Sequence, residues 1–248
     1  MIPVPRLTPA NEPPHFNVNC RQLGATFLAE TPPRDPHEKS AWWSEFQPDL
    51  AKHFSYRCGW TAMVIGLDGD VDHYLACGDR EGRPSPHRNL AFEWTDYRFA
   101  SGTVNSRKGN LDDQILDPCK IGDGWFEVLL PNFVLRPTNR LPDELRAKAE
   151  TTIKKLKLFN EHKVRFTRWS WYQRYWNGGE PLLGQLEMDA PLVAAAVKKA
   201  LAAGEALPDP SDCLPGYEVK ERKRAYARRR ACTKKAAQAP PGGGQAEH

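Results

Sequence analysis

No stretch of the chain approaches the run of about eighteen apolar residues that a membrane-spanning helix needs. The opening Met1-Ile2-Pro3-Val4-Pro5-Arg6 has no apolar core of the kind a secretory signal carries. A cytoplasmic protein without membrane contact is therefore expected. Cysteine pairs at close spacing are missing as well. Cys20, Cys58, Cys77, Cys119, Cys213 and Cys232 form no Cys-x-x-Cys motif. Reduced thiols are the expectation, and a Cys-rich structural zinc site is not. Cys58 and Cys77 would pair only in an oxidised chain. No internal repeat is visible, which removes solenoids and propellers.

Positive charge is present but uneven. The chain carries a formal net charge of +4. Between Glu218 and Lys235 there are nine basic residues against Glu218 and Glu221, a net of +7. The body before this run is near neutral. Lys220, Arg222, Lys223, Arg224, Arg228, Arg229 and Arg230 thus form a candidate non-specific phosphate binder, whose affinity should fall steeply with salt. A solubilising tail is the alternative. Ala236 to His248, with its Pro-Pro-Gly-Gly-Gly run, has the composition of disorder.

The twenty-two prolines divide the chain unevenly. Residues 1–38 read as a Pro-rich arm, residues 39–135 as a core with a preceding helix, residues 136–207 as a helical extension and residues 208–248 as the basic tail. In the arm, Phe16, Val18, Leu23, Phe27 and Leu28 suggest a short strand or extended segment packed on the body. Trp42, Trp43, Phe46, Leu50 and Phe54 recur at helical spacing, with an interruption at Pro48. Thr61–Gly66, Asp68-Gly69 and Val71–Ala76 read as a β-hairpin, because Asp-Gly between apolar runs is a strong turn signal. Ser101 and Gly109 are a plausible N-cap and stop for a short helix. A further sheet element is expected at Trp125–Leu130. Helices follow over 141–159, with Phe159 on the apolar face, 161–176 and 191–203.

The chemistry-bearing residues lie between Cys58 and Gly109. Phosphodiester hydrolysis needs an activated water and something that stabilises charge on the phosphate and leaving oxygen. A hard cation held by a carboxylate and an amide oxygen supplies the second, and a neutral His beside it the first. Asp72, His73 and Asn105 provide those groups, with Arg107 and Lys108 adding positive charge where a phosphate would approach. His87 is a weaker candidate for the site, more simply an exposed loop residue. Asp70 shares a strand face with Asp72 and would either support it or serve the turn. Basic residues interleaved with Trp169, Trp171, Tyr172, Tyr175 and Trp176 would either bind nucleic acid or form the two sides of packed helices.

The ordered set Asp72-His73, Trp94-Thr95-Asp96-Tyr97-Arg98-Phe99 and Val104-Asn105-Ser106-Arg107-Lys108-Gly109 resembles the HNH endonucleases. The resemblance spans roughly residues 40–160. It implies an α+β fold with a ββα-metal core, flanking helices and the Pro-rich arm. It also implies DNA cleavage with His73 as general base, and one Mg²⁺, Mn²⁺ or similar divalent cation on Asp72 and Asn105. Two departures stand out. Cys58-Gly59-Trp60-Thr61 and Ser101-Gly102-Thr103-Val104 occupy the places of zinc knuckles, so structural zinc is not expected and Cys58 would be a remnant. Asp96 stands where relatives have a loop-bracing Asn. It can accept those hydrogen bonds but not donate an amide N–H. Such relatives often act in mobile elements or anti-phage defence beside a partner such as an ATPase. Two rival readings are a non-catalytic nucleic-acid-binding protein on a degenerate scaffold and a partner-docking subunit.

Overall fold

Prolines up to Pro14 keep the first residues irregular, and the chain then turns helical. A π-helical stretch, Asn17–Gln22, runs directly into α1 (Leu23–Leu28). This corrects the extended segment expected there. The residues that go inside are Phe16, Cys20 and Phe27, whose spacing of four and seven is helical, while Val18 and Leu23 are exposed. Gly24 lets α1 lie directly on the core, since a Cβ there would fall 2.1 Å from Phe92 Cγ. The computed structural model describes residues 1–79, 83–159, 162–178 and 182–213. The basic run 218–235 and the Ala236–His248 segment lie outside the described residues.

The Trp42–Phe54 periodicity is realised as two short helices, α2 (Ser40–Ser44) and α3 (Gln47–His53). Pro48 sits in the first turn of α3, where its missing N–H costs nothing. The hairpin expected on either side of Asp68-Gly69 does not form. Residues 61–66 make no strand. Arg57 and Val64 share one isolated bridge, and Trp60, Thr61 and Met63 are buried. Instead β1 (Gly69–His73) pairs antiparallel with β2 (Tyr97–Ser101), Asp72 opposite Arg98 and His73 opposite Tyr97. The tertiary partner overrides the local turn signal. The chain then enters α4 (Gly102–Lys108). Ser101 takes the extended N-cap conformation without a side-chain capping bond, and Gly109 ends the helix at φ +44°.

The fold is α+β, with two small two-stranded antiparallel sheets among helices. The second sheet joins β3 (Phe126–Leu129) to β4 (Val134–Pro137), and α5 (Asp143–Lys155), α6 (His162–Gly178), α7 (Leu183–Asp189), α8 (Pro191–Ala202) and α9 (Pro210–Cys213) follow. Helix α5 stops before Phe159, which is exposed; Leu156 and Leu158 are the buried residues there. On α6 the aromatic rings Tyr172 and Tyr175 go into the core with Arg168, which donates to the carbonyls of Phe133 and Leu158. Among the described residues no helix is long and apolar enough to cross a membrane.

Two apolar clusters flank the β1–β2 pair. One gathers the arm, α2 and α3 around Phe16, Trp43, Phe54, Trp94, Tyr97 and Phe99. The other gathers Trp60, Tyr74, Val104, Phe133, Leu135 and the helices from α5 onward. Ile65 touches both. The first sheet is thus held from two sides, and its end residues are placed by packing.

Candidate active site

In a strand, successive side chains point to opposite faces. The register therefore puts Val71, His73, Tyr97 and Phe99 on one face of the first sheet and Asp70, Asp72, Arg98 and Ala100 on the other. On the first face the His73 ring meets Trp43 and Tyr97 edge-on, with centroids 4.8 and 5.0 Å apart. On the second face lies α4. A cleft of about 290 Å³ takes in residues of both faces: Asp72, His73 and Asn105 all line it, with His37, Gly78 and Asp79. His87 is not part of its wall.

His73 is buried, and its Nε2 lies 2.9 Å from the Ala91 carbonyl oxygen. A carbonyl only accepts, so Nε2 carries the proton and Nδ1 keeps its lone pair. Burial pushes the pKa of the ring down to about 4, against the opposing pull of the Ala91 carbonyl. At neutral pH this is an uncharged imidazole of fixed tautomer. Asp96 braces the chain just beyond it. Its carboxylate accepts from the Leu75 N–H at 3.2 and 3.3 Å, and its carbonyl accepts from the Tyr74 N–H at 2.8 Å. Burial raises its pKa to about 7, opposed by the Leu75 hydrogen bond.

Asp72 is also buried, and burial raises its carboxyl to about 7 against the attraction of Lys108. Lys108 is the main correction to the residues expected from the sequence. It is not a surface cation awaiting phosphate. At 1% exposure its Nζ lies 3.2 Å from Asp72 Oδ1 and donates to the His73 carbonyl at 2.5 Å. Arg107 is half-buried and gives one N–H to the Leu156 carbonyl at 3.3 Å.

Asn105 Nδ2 donates to Asp70 Oδ2 at 3.0 Å, so Asp70 orients the amide rather than serving the turn. With its NH₂ so engaged, the amide oxygen is the end left for other partners. Among the described residues no group of three or more His, Cys, Asp or Glu side chains is arranged to hold a metal ion. The set expected from the sequence is smaller, one carboxylate and one amide. One observation fits it to a cation. Asp72 Oδ2 is buried and has no hydrogen-bond partner among the described residues. A buried carboxylate oxygen without a donor is costly unless something positive meets it.

No family model, no curated protein and no solved structure matches this chain.

Arg98, opposite Asp72, pairs elsewhere. Its Nε and Nη2 donate to the two oxygens of Asp117 at 2.6 and 2.7 Å, both residues buried, and its Nη1 donates to the carbonyls of Thr95 and Tyr97. This fork ties β2 and the turn before it to the segment that follows α4. The region expected to be a zinc-knuckle remnant holds Cys58 as a buried free thiol. Two residues of the cleft had no mark in the sequence as functional: His37 and Asp79. The only local signal was Asp35, two residues before His37, a spacing at which an Asp side chain reaches back to the following backbone.

Proposed function

We propose that this protein is a metal-dependent endonuclease of the HNH type that hydrolyses DNA phosphodiester bonds, with His73 as general base. The observation that carries the proposal is the meeting of Asp72, His73 and Asn105 at one cleft, the first two from β1 and the third from α4, which follows β1's partner strand β2 directly. That order of strand, strand and helix supports the ββα-metal core that the sequence resembles.

His73 is uncharged at neutral pH, and Nδ1 is the nitrogen able to take a proton from water. Its low pKa keeps it ready across the physiological range and makes it a modest base. Asp96 holds the peptide bonds just after it, and Lys108 holds its carbonyl. When bound, Mg²⁺ or Mn²⁺ would neutralise charge on the phosphate, held by Asp72 Oδ2 and the Asn105 amide oxygen. Asp70 keeps that amide oriented. The basic residues from Lys220 to Arg230 would hold the DNA backbone without reading sequence.

A second reading has one observation behind it. Lys108 already supplies a cation to Asp72, which would let the fold stand without a metal and bind nucleic acid without cutting it. Plasmid nicking in Mg²⁺ or Mn²⁺, with and without chelator, separates the two. The nuclease reading expects metal-dependent nicking that His73→Ala abolishes. Equal activity in wild type and His73→Ala removes His73 from the mechanism. DNA binding by both proteins with cleavage by neither favours the second reading.

A further inference from the structure

Hydrolysis of a phosphodiester moves two protons: water loses one, and the leaving sugar oxygen gains one. His73 accounts for the first. The same cleft is lined by a second imidazole. His37 stands on a single 3₁₀ turn, Pro36–Lys39, whose N-cap is Asp35. Asp35 Oδ1 accepts from the His37 backbone N–H at 2.9 Å and from ring Nδ1 at 3.1 Å. Its Oδ2 accepts from the Asp79 N–H at 3.3 Å, so one carboxylate fastens the ring to the cleft wall.

The ring is also held from the side. It lies on Gly78, where a Cβ would fall 2.4 Å from Cε1, and it meets Trp43 edge-on at 5.6 Å. Its centroid is 6.4 Å from that of His73. A carboxylate only accepts, so Nδ1 donates to Asp35 and Nε2 is the nitrogen left to meet a substrate. His37 is half-exposed, in contrast to buried His73, so it is open to solvent.

We propose that His37 is the general acid of this cleft, oriented by Asp35, an assignment that rests on the nuclease reading. The oxygen of water bonds to phosphorus and its proton passes to His73 Nδ1. The bond from phosphorus to the leaving oxygen breaks, and its electron pair stays on that oxygen. The oxygen takes the Nε2 proton of the His37 imidazolium. The products are a phosphate monoester and an alcohol. His73 then gives its proton to the next water that enters the cleft, and His37 regains one from solvent.

Leaving-group dependence tests this on the full chain with Mg²⁺. Wild type, His37→Gln and His73→Gln are assayed on plasmid DNA and on bis(p-nitrophenyl) phosphate, whose phenolate departs without protonation. His37→Gln should slow DNA cleavage about 100-fold or more and ester cleavage less than about tenfold. His73→Gln should slow both. Asp35→Asn, a positioning change, should show the same selective loss in weaker form, which guards against a misfolded His37 variant. Equal losses of His37→Gln on both substrates, or none on either, overturn the assignment while leaving the nuclease reading standing. A wild-type protein inert on both substrates overturns both.

Discussion

Lys108 Nζ lies 3.2 Å from Asp72 Oδ1 and donates to the His73 carbonyl at 2.5 Å, so one side chain from α4 closes on both members of the Asp-His pair. The strand sends Asp72 and His73 to opposite faces, and the lysine reaches the carboxylate of one and the backbone of the other. This contact locks the helix carrying Asn105 to the strand carrying Asp72. It also fixes the electrostatics. Two buried charges of opposite sign sit together, and each would be costly without the other.

Lys108→Met should therefore destabilise the protein by about 3 kcal/mol or more, because it strands the Asp72 carboxylate in the interior. The loss should shrink below pH 7, where Asp72, already raised to about 7, can take up a proton and shed its charge. Combining Lys108→Met with Asp72→Leu should cost clearly less than the two single changes added together. Urea unfolding at pH 5 and pH 8 measures this. Additive losses with no pH dependence would show that the pair is not coupled.

His73 gives a stability change of known sign. Its pKa falls from near 6.5 in the unfolded chain to about 4 in the folded protein, chiefly through burial. The unfolded state then binds the proton first on acidification. The stability associated with the neutral ring is present above pH 6.5 and is lost as pH falls towards 4. Relative to His73→Gln, the wild type should lose up to about 1.4 kcal/mol per pH unit across that window. Asp72 and Asp96, both raised, slope the other way in both proteins and cancel in the difference. Parallel stability curves for the two proteins would refute the buried, neutral assignment.

The parts of this architecture that rest on local chemistry are legible in the sequence. Pro48 marks the start of α3, and Ser101 and Gly109 bracket α4, the first by its extended backbone and the second by its positive φ, because helix starts and stops are set within one turn. The partner of β1 is not legible. Asp68-Gly69 favours a local hairpin, but burial of Trp60, Thr61 and Met63 consumes the upstream half, and the true partner lies far downstream. The arm carried a readable stripe in Phe16, Cys20 and Phe27 that the surrounding prolines obscured. The burial of Lys108 is not legible for a general reason: lysines are rarely fully buried, so a Lys near a helix end reads as surface. His37 lies well upstream of His73 in sequence, and only the packing of α2 and Gly78 brings the two rings into one cleft.

The Arg98–Asp117 fork is the neighbouring constraint on β2. Both guanidinium nitrogens that face Asp117 are matched to its oxygens, and a third reaches two carbonyls. Lysine has the charge but not the planar fork. Arg98→Lys should cost about 2 kcal/mol or more, by leaving buried acceptors without donors. Asp117→Asn should cost a similar amount, since it leaves the guanidinium buried without its counter-charge. Thermal unfolding reads both. A loss below about 0.5 kcal/mol in Arg98→Lys would mean that charge alone, and not geometry, anchors the strand.

Residues 218–235 hold the densest positive charge in the chain, and the nuclease reading gives the tail 218–248 a part in DNA binding that is separable from the cleft. Each phosphate contact made by a lysine or arginine releases counterions and adds about 0.9 to the slope of log K against log salt. If several of the nine basic residues between Glu218 and Lys235 touch the backbone, their deletion should lower that slope by several units. Affinity at low salt should fall far more than at high salt, where screening has already weakened the contacts. In the nuclease reading, cleavage by the truncated protein at saturating DNA should be preserved, because Asp72, His73 and Asn105 remain. Titrating a labelled duplex at a series of salt concentrations, with wild type and a chain ending at Tyr217, gives both slopes. Identical slopes would assign the DNA contacts to the folded body and leave the basic run without a role in binding.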